Sequence, residues 1–324
     1  MGHPAAAPPF QAGFLIGADL VSKVMPLRDA VSQYARDGAV IAMGTGLESC
    51  IPFAAGHEII RQRRRDLTLV GPISDILFDQ LIGAGCVARV IAAWVGNVGA
   101  GIAYNFRRAV EEQIPRPLAM EDHSNLTVAL ALEAAARGVP FLPSRTVLGS
   151  EILRGHERLR EMTCPFTGER LLGVGALELD LAILHVPRCD RGGNAHLWGN
   201  LGVTLEAARA ARHVVLTCEE LVDETVIRSD PNRTLIPGFL VGAVSVVPYG
   251  SHPSPTQGYV NRDDRFYDEY HAETKTREGF LGWLDRMVAG TPDHAAYVAR
   301  LGASRVESLR PRTARLAAPV DYGL

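Results

Sequence analysis

Along the first hundred residues, stretches whose apolar positions recur every three to four residues alternate with short runs that are apolar almost throughout. The first spacing predicts amphipathic helices and the second buried strands. The segment LRDAVSQYAR (27–36) is amphipathic, Pro26 suits a first helical position, and Asp37-Gly38 stops the helix ahead of a strand at Ala39–Met43. The next cycle predicts a helix over Pro52–Arg63, a strand at Leu67–Val70, a helix near Ser74–Ile82 and a strand at Ala88–Trp94. Further strands are expected at Ala182–Val186, His213–Thr217 and Ala243–Val247, with the helix TLEAARAAR (204–212) between the first two. Repeated strand–helix units with wholly apolar strands predict an α/β fold: a mostly parallel sheet flanked by helices on both faces. No Pro/Ser-rich linker or internal repeat divides the chain, so one domain is expected over 22–324, preceded by a loosely ordered extension over 1–21.

Composition narrows the partners more than the fold. The 324 residues are 47% hydrophobic and 21% charged, as in an ordinary globular protein. A net charge of -3 and a pI near 6.4 provide no clustered basic face for nucleic acid or an anionic membrane, which favours small-molecule and protein partners. Cys50, Cys86, Cys164, Cys189 and Cys218 are odd in number and lack paired spacing, as expected of reduced thiols in a cytoplasm and not of a disulfide framework or a metal site. The first twenty residues have neither the basic start nor the long apolar run of a signal peptide or membrane span.

In an α/β sheet, ligands meet the loops beyond the C-terminal strand ends. Gly44-Thr45-Gly46, Gly71-Pro72 and Gly96-Asn97-Val98-Gly99 follow the first three predicted strands, where glycine permits close backbone approach and exposed N–H groups can face an oxyanion or phosphate. Ser124 and Asn125 suit the cap of a helix beginning at Leu126.

Five stretches carry a family resemblance. They are SKVMPLRDAVSQYARDGAVIAMG (Ser22–Gly44), MEDHSNLTVALALEAAARGVPFLPSRTVLG (Met120–Gly149), TCPFTGE (Thr163–Glu169), TCEELVDETVIRSDPNRTLIPGF (Thr217–Phe239) and PYGSHPSPTQGYVNRDDRFYDEY (Pro248–Tyr270). In this order they resemble the α subunits of class I coenzyme A transferases, most of all those of the glutaconate type, from Ser22 to about Arg310. The resemblance implies that family's α/β fold, CoA as substrate and no resident cofactor or metal. It also implies a hetero-oligomer whose β subunit supplies a glutamate nucleophile, which passes through an acyl anhydride and a glutamyl-CoA thioester. The β chains carry that glutamate in an S-E-N-G or E-S-G turn, whereas this chain has Val70-Gly71-Pro72 at the equivalent strand end. After the first strand the α pattern is G-G-F, a basic residue or glycine, then proline; here Thr45-Gly46 replaces G-F, the basic residue is absent, and Glu48 is read as a solvated loop residue.

The family's acidic segment, E-x-x-S/P-Q or E-x-x-S-E, corresponds to Glu121-Asp122-His123-Ser124-Asn125. The resemblance therefore makes Asn125 the amide donor to the thioester oxyanion, with Glu121, His123 and Ser124 around it and Gly44, Thr45, Gly46, Gly71, Gly96, Asn97 and Gly99 as the substrate- or CoA-binding loops. His123 is more simply a structural hydrogen-bonder, and Arg61–Arg65 the solvated, dipole-complementing end of a helix instead of a CoA-phosphate site. Gly250–Ser254 matches the family's G-A-H-P-S and is read as a subunit contact or site rim. Two alternatives stay open. One is the α subunit of a CoA-thioester ring hydrolase, against which an asparagine in place of a proton-handling glutamate counts. The other is a ligand-sensing module, for which the chain carries no DNA-binding extension.

Overall fold

The computed structural model describes residues 21–312, so the expected N-terminal extension lies outside the described residues except for Val21. The strands are β1 (Val40–Ala42), β2 (Leu67–Val70), β3 (Val87–Ala92), β4 (Ala119–Asp122), β5 (Phe141–Ser144), β6 (Leu159–Thr163), β7 (Arg170–Gly175), β8 (Leu179–Cys189), β9 (Ala195–His196), β10 (Ala211–Leu221), β11 (Thr234–Ile236) and β12 (Val241–Val246). The helices are α1 (Leu27–Tyr34), α2 (Phe53–Arg61), α3 (Ile76–Gly83), α4 (Tyr104–Glu111), α5 (Asn125–Ala136), α6 (Thr204–Ala210), α7 (Glu224–Arg228), α8 (Asp264–Glu273), α9 (Arg277–Leu284), α10 (His294–Leu301) and α11 (Ala303–Ser308).

The expected parallel sheet is present, running β12-β10-β8-β1-β2-β3-β4, with the short antiparallel pair β9 and β11 continuing from the end of β8. Side-chain alternation along each strand feeds two cores: Ile41 and Met43 pack under α1, α2, α3 and the C-terminal helices, while Ala42 packs with Val70, Ile91, Ala182 and Leu184 under α5 and α6. Both faces are covered, which is why the strands read as apolar throughout.

Several boundaries move. Pro26 precedes α1 as its N-terminal cap position instead of opening it, and α5 starts at Asn125, one residue earlier than expected, with Ser124 as its cap. β8 and β10 are much longer than their central apolar runs, because they pair with each other in register from Leu179–Ala211 to Cys189–Leu221, well past the apolar stretch. α2 and α3 are buried nearly all round, since α8, α9 and α10 form an outer layer contributing Tyr267, Tyr270, Phe280, Trp283 and Tyr297 to that core.

Several elements have no counterpart in the pattern reading: β4, α4, the C-terminal helices α8 to α11, and a separate three-stranded antiparallel sheet, β5-β7-β6, inserted between α5 and β8. TCPFTGE is the turn joining β6 to β7, with Phe166 at its exposed tip. Among the described residues no helix is long and apolar enough to cross a membrane, and all five cysteines are free thiols.

Candidate active site

Because β1, β2, β3 and β4 are parallel neighbours, the connections after them share one face. Main-chain and short side-chain contacts join these connections into a continuous rim. Gly44 has φ 67° and stands against Ser74, where a Cβ would meet Ser74 Cβ at 2.7 Å. Asp75 Oδ1, just before α3, accepts the Val98 N–H at 3.1 Å, and the His123 N–H donates to Ala92 O at 3.0 Å. At the end of β2, a Cβ on Gly71 would lie 2.6 Å from the Met43 carbonyl oxygen, so nothing larger than glycine fits without moving backbone.

Two of the contacts expected from the sequence use their side chains to build the rim itself. Thr45 Oγ1 lies 2.8 Å from Thr204 Oγ1. Asn97 accepts the Gly99 and Ala100 N–H groups at 2.9 and 3.1 Å and donates to Tyr267 O at 3.0 Å. Gly46, Gly96 and Gly99 complete the same turns.

The turn between β4 and α5 holds the charged centre. Glu121 is buried, and its Oε1 accepts from His123 Nε2 at 3.0 Å. Arg158 Nε stands 3.0 Å from the same oxygen at an angle that makes it an ion pair, and Arg89 donates to Oε2. Burial alone would raise the Glu121 pKa; the His123 hydrogen bond and the Arg158, His123 and Arg89 charges overcome it and hold the carboxyl at about 2. His123 Nδ1 is 3.0 Å from Thr127 Oγ1. Ser124 and Thr127 form a reciprocal capping box, Ser124 Oγ accepting the Thr127 N–H at 3.1 Å and Thr127 Oγ1 accepting the Ser124 N–H at 2.9 Å. The cap is therefore Ser124 alone. Asn125, the first helical residue, is exposed, and among the described residues its amide has no hydrogen-bond partner. His123 is structural in its contacts, as its chemistry suggested.

Glu121, His123 and His156 bring one donor atom each within 4.8 Å of one another. The arginines already on Glu121 oppose a cation there. Both His156 nitrogens are also engaged: Nδ1 accepts the Arg158 N–H at 3.1 Å and Nε2 donates to Asp122 O at 2.9 Å. The arrangement is a hydrogen-bond relay.

Glu48 is 57% exposed, as expected of a solvated loop residue, and its nearest cation is Arg262 at 4.0 Å. Arg262 also lies 3.6 Å from Asp75 Oδ2, donates to Asp264 at 2.8 Å and stacks over the Tyr267 ring at 4.1 Å. Asp75 is fully buried with φ 52° and ψ -149°, a costly conformation for a residue with a Cβ, and burial pushes its carboxyl pKa up. Asp75, Arg262, Arg158 and His156 all escaped the sequence reading. Asp75 and Arg262 stand far apart in the chain, and no local pattern announces their pairing.

Two expectations are corrected. The Gly250–Ser254 loop is not a rim: Ser251, His252 and Ser254 are fully buried, with His252 between Tyr297 OH at 2.7 Å and Asp263 at 3.0 Å. Arg262 and Asp263 thus connect the rim to the C-terminal layer. Arg61 is not a solvated helix end; its guanidinium donates to Thr291 O at 2.8 Å and Val288 O at 3.2 Å, fastening α2 to that layer. The carbonyls of a chain turn captured it in place of water.

Comparison with known proteins identifies the family of the chain. The coenzyme A transferase family matches residues 24–246. The chain is 39% identical over 281 residues to the A subunit of the 3-oxoadipate CoA-transferase of Pseudomonas knackmussii, covering 87% of this chain and 99% of that one. It is 34% identical over 307 residues to the A subunit of the glutaconate CoA-transferase of Acidaminococcus fermentans, covering 90% and 95%. The crystal structure of that glutaconate CoA-transferase superposes with a TM-score of 0.86 over 93% of this chain and 99% of that one. Similarity to the cholesterol ring-cleaving hydrolase IpdA subunit of Rhodococcus jostii is lower, 28% over 285 residues, 84% of this chain and 93% of that one.

Proposed function

Because the chain belongs to the coenzyme A transferase family, we propose that it is the α subunit of a heteromeric CoA-transferase, moving CoA from an acyl-CoA thioester to a free carboxylic acid. A β subunit supplies the nucleophilic glutamate. The observation that carries this division of labour is the end of β2: it holds Gly71, and the Met43 carbonyl oxygen occupies the direction any side chain there would take. This subunit contributes Asn125, whose unpartnered amide is available to donate to the oxyanion that forms as the glutamate attacks the thioester. CoA and the acid lie over the rim, with Gly44, Gly46, Gly71, Gly96 and Gly99 keeping the backbone close and Thr45 and Asn97 fixing its shape. Exposed Trp94 and Ile102 on the connection after β3, and Leu126 beside Asn125 in the first turn of α5, provide apolar surface for the β subunit to cover. The cytoplasm, where free thiols persist, is the location this reading assigns.

The ring-hydrolase reading is weakened by Asn125, since an amide cannot take up a proton as a carboxylate does. The test is to load the purified two-subunit complex with acyl-CoA and reduce it with borohydride. Reduction is expected at a β-chain glutamate, with no CoA-transfer activity from this chain alone. A reduced residue in this chain, or turnover without the partner, overturns the assignment.

A further inference from the structure

We propose that Arg158 and His156, which lie in the turn entering β6 of the small antiparallel sheet, are positioning residues for Asn125. The inference rests on the role of Asn125 argued above. The turn holds the two residues that lead into the β4–α5 connection by different means. The Arg158 guanidinium lies 3.0 Å from the Glu121 carboxylate, and the His156 Nε2–H donates to the Asp122 carbonyl at 2.9 Å. The His156 tautomer is set within the turn, because Nδ1 is taken by the Arg158 N–H at 3.1 Å and only Nε2 is left to donate.

From Glu121 the contact continues through one buried ring. His123 Nε2 meets Glu121 Oε1 at 3.0 Å and His123 Nδ1 meets Thr127 Oγ1 at 3.0 Å. Thr127 is half of the capping box that fixes Ser124. Asn125 stands between these two capping partners, so its Cα has little independent freedom while its amide remains exposed. Every group in the relay except the terminal amide is committed. A carboxylate clamped by an arginine from each side and by a histidine is far more structure than a helix cap requires, since Ser124 and Thr127 satisfy the cap without it. A displacement of about 1 Å in an oriented catalytic group costs on the order of 10²-fold in rate, so a rigid mount for Asn125 has a direct kinetic consequence.

The small sheet is thus part of the catalytic machinery. It grips the backbone on one side of the Asn125 turn, as α5 does on the other.

The test uses the assembled two-subunit enzyme and a double-mutant cycle. Arg158→Met and Glu121→Gln are each made alone and in an Asn125→Ala background, with complex stoichiometry and thermal melting recorded for every variant. Each single substitution is expected to lower kcat on the order of 10-fold with the KM for acyl-CoA changed less than about 2-fold, and to cost almost nothing further once Asn125 is alanine. Arg158→Lys, which keeps the charge, should recover part of the rate and provides a milder variant should the methionine protein fold poorly. If the kcat losses multiply undiminished in the alanine background, or if intact complexes show no kcat loss, the positioning role is wrong while the role of Asn125 stands. If Asn125→Ala itself leaves kcat unchanged, the oxyanion reading falls and the positioning role with it.

Discussion

Asn125 is the residue on which the chemistry turns, and its exposure, free amide and place at the first helical position separate its possible roles. The helix cap belongs to Ser124, so removing the Asn125 side chain should leave the stability of α5 nearly unchanged. Asn125→Ala is expected to lower kcat of the assembled enzyme by on the order of 10²-fold, about 3 kcal/mol of transition-state stabilisation, with little change in substrate binding. Asn125→Gln should restore part of the rate, because it keeps the amide on a longer stem. Asn125→Asp should fold well, since a carboxylate favours a helix N-terminus, yet stay inactive because it repels the oxyanion. Measuring kcat and melting temperature across the three variants decides the matter; an active aspartate variant would remove the oxyanion role. Glu48, by contrast, is mostly solvated and 4.0 Å from an arginine already shared with Asp75 and Asp264. Glu48→Gln should therefore alter acid preference at most, and complete loss of turnover in an intact complex would mark Glu48 as the nucleophile.

At the scale of elements, the rim depends on strand ends that fit only small residues, and on one helix cap. Gly71→Ala forces a methyl to within 2.6 Å of the Met43 carbonyl, and because the obstacle is backbone in a neighbouring connection, relief requires β1 or β2 to shift. A loss of about 1–3 kcal/mol in chemical denaturation is expected. Unchanged stability would show that the β1 and β2 ends yield, and with them the argument that no nucleophile fits there. Ser124→Ala removes the acceptor for the Thr127 N–H and should cost about 1 kcal/mol, an effect distinct in kind from the kinetic loss at Asn125.

Across the whole molecule, the C-terminal helices are fastened to the first α/β units by buried histidines, and this makes stability depend on pH. Burial, reinforced by the Arg61 charge, lowers the pKa of His57; burial lowers that of His252 despite Asp263; burial with the His252 and Arg61 charges takes His294 down to about 3. An unfolded histidine binds its proton near pH 6.5, whereas in the folded protein all three are held below that, His57 well below it and His294 at about 3. Below about 6.5 the unfolded chain holds more protons, so stability declines as pH falls, at up to about 1.4 kcal/mol per pH unit for each histidine still neutral in the folded state, and for His294 the decline runs on towards 3. Glu121 acts in the same direction at lower pH: its contribution is present above 4.5 and is lost as pH falls towards 2. Denaturation midpoints should therefore drop between pH 7 and pH 5, and His294→Gln should flatten that slope. A midpoint independent of pH across this range would contradict the neutral, buried assignment.

The pattern of apolar positions by itself determined the parallel sheet, its first helices and the side on which the glycine connections gather, because those depend on burial periodicity and on local turn chemistry. Local residue chemistry also indicated a cap at Ser124 or Asn125, whereas the donor role of Asn125 came from the family resemblance and not from the pattern. Tertiary structure alone decided what the polar residues do once buried. Arg61 turned inward because the Val288 and Thr291 carbonyls after α9 lay within its reach, and His252 became interior because Tyr297 of α10 and Asp263 at the start of α8 converge on it. Arg158 meets Glu121, and Arg262 meets Asp75, only because an inserted sheet and a distant loop fold back onto strand ends. Such pairings follow from three-dimensional proximity and the cost of leaving a buried charge unpaired, and neither quantity is written in the local order of residues.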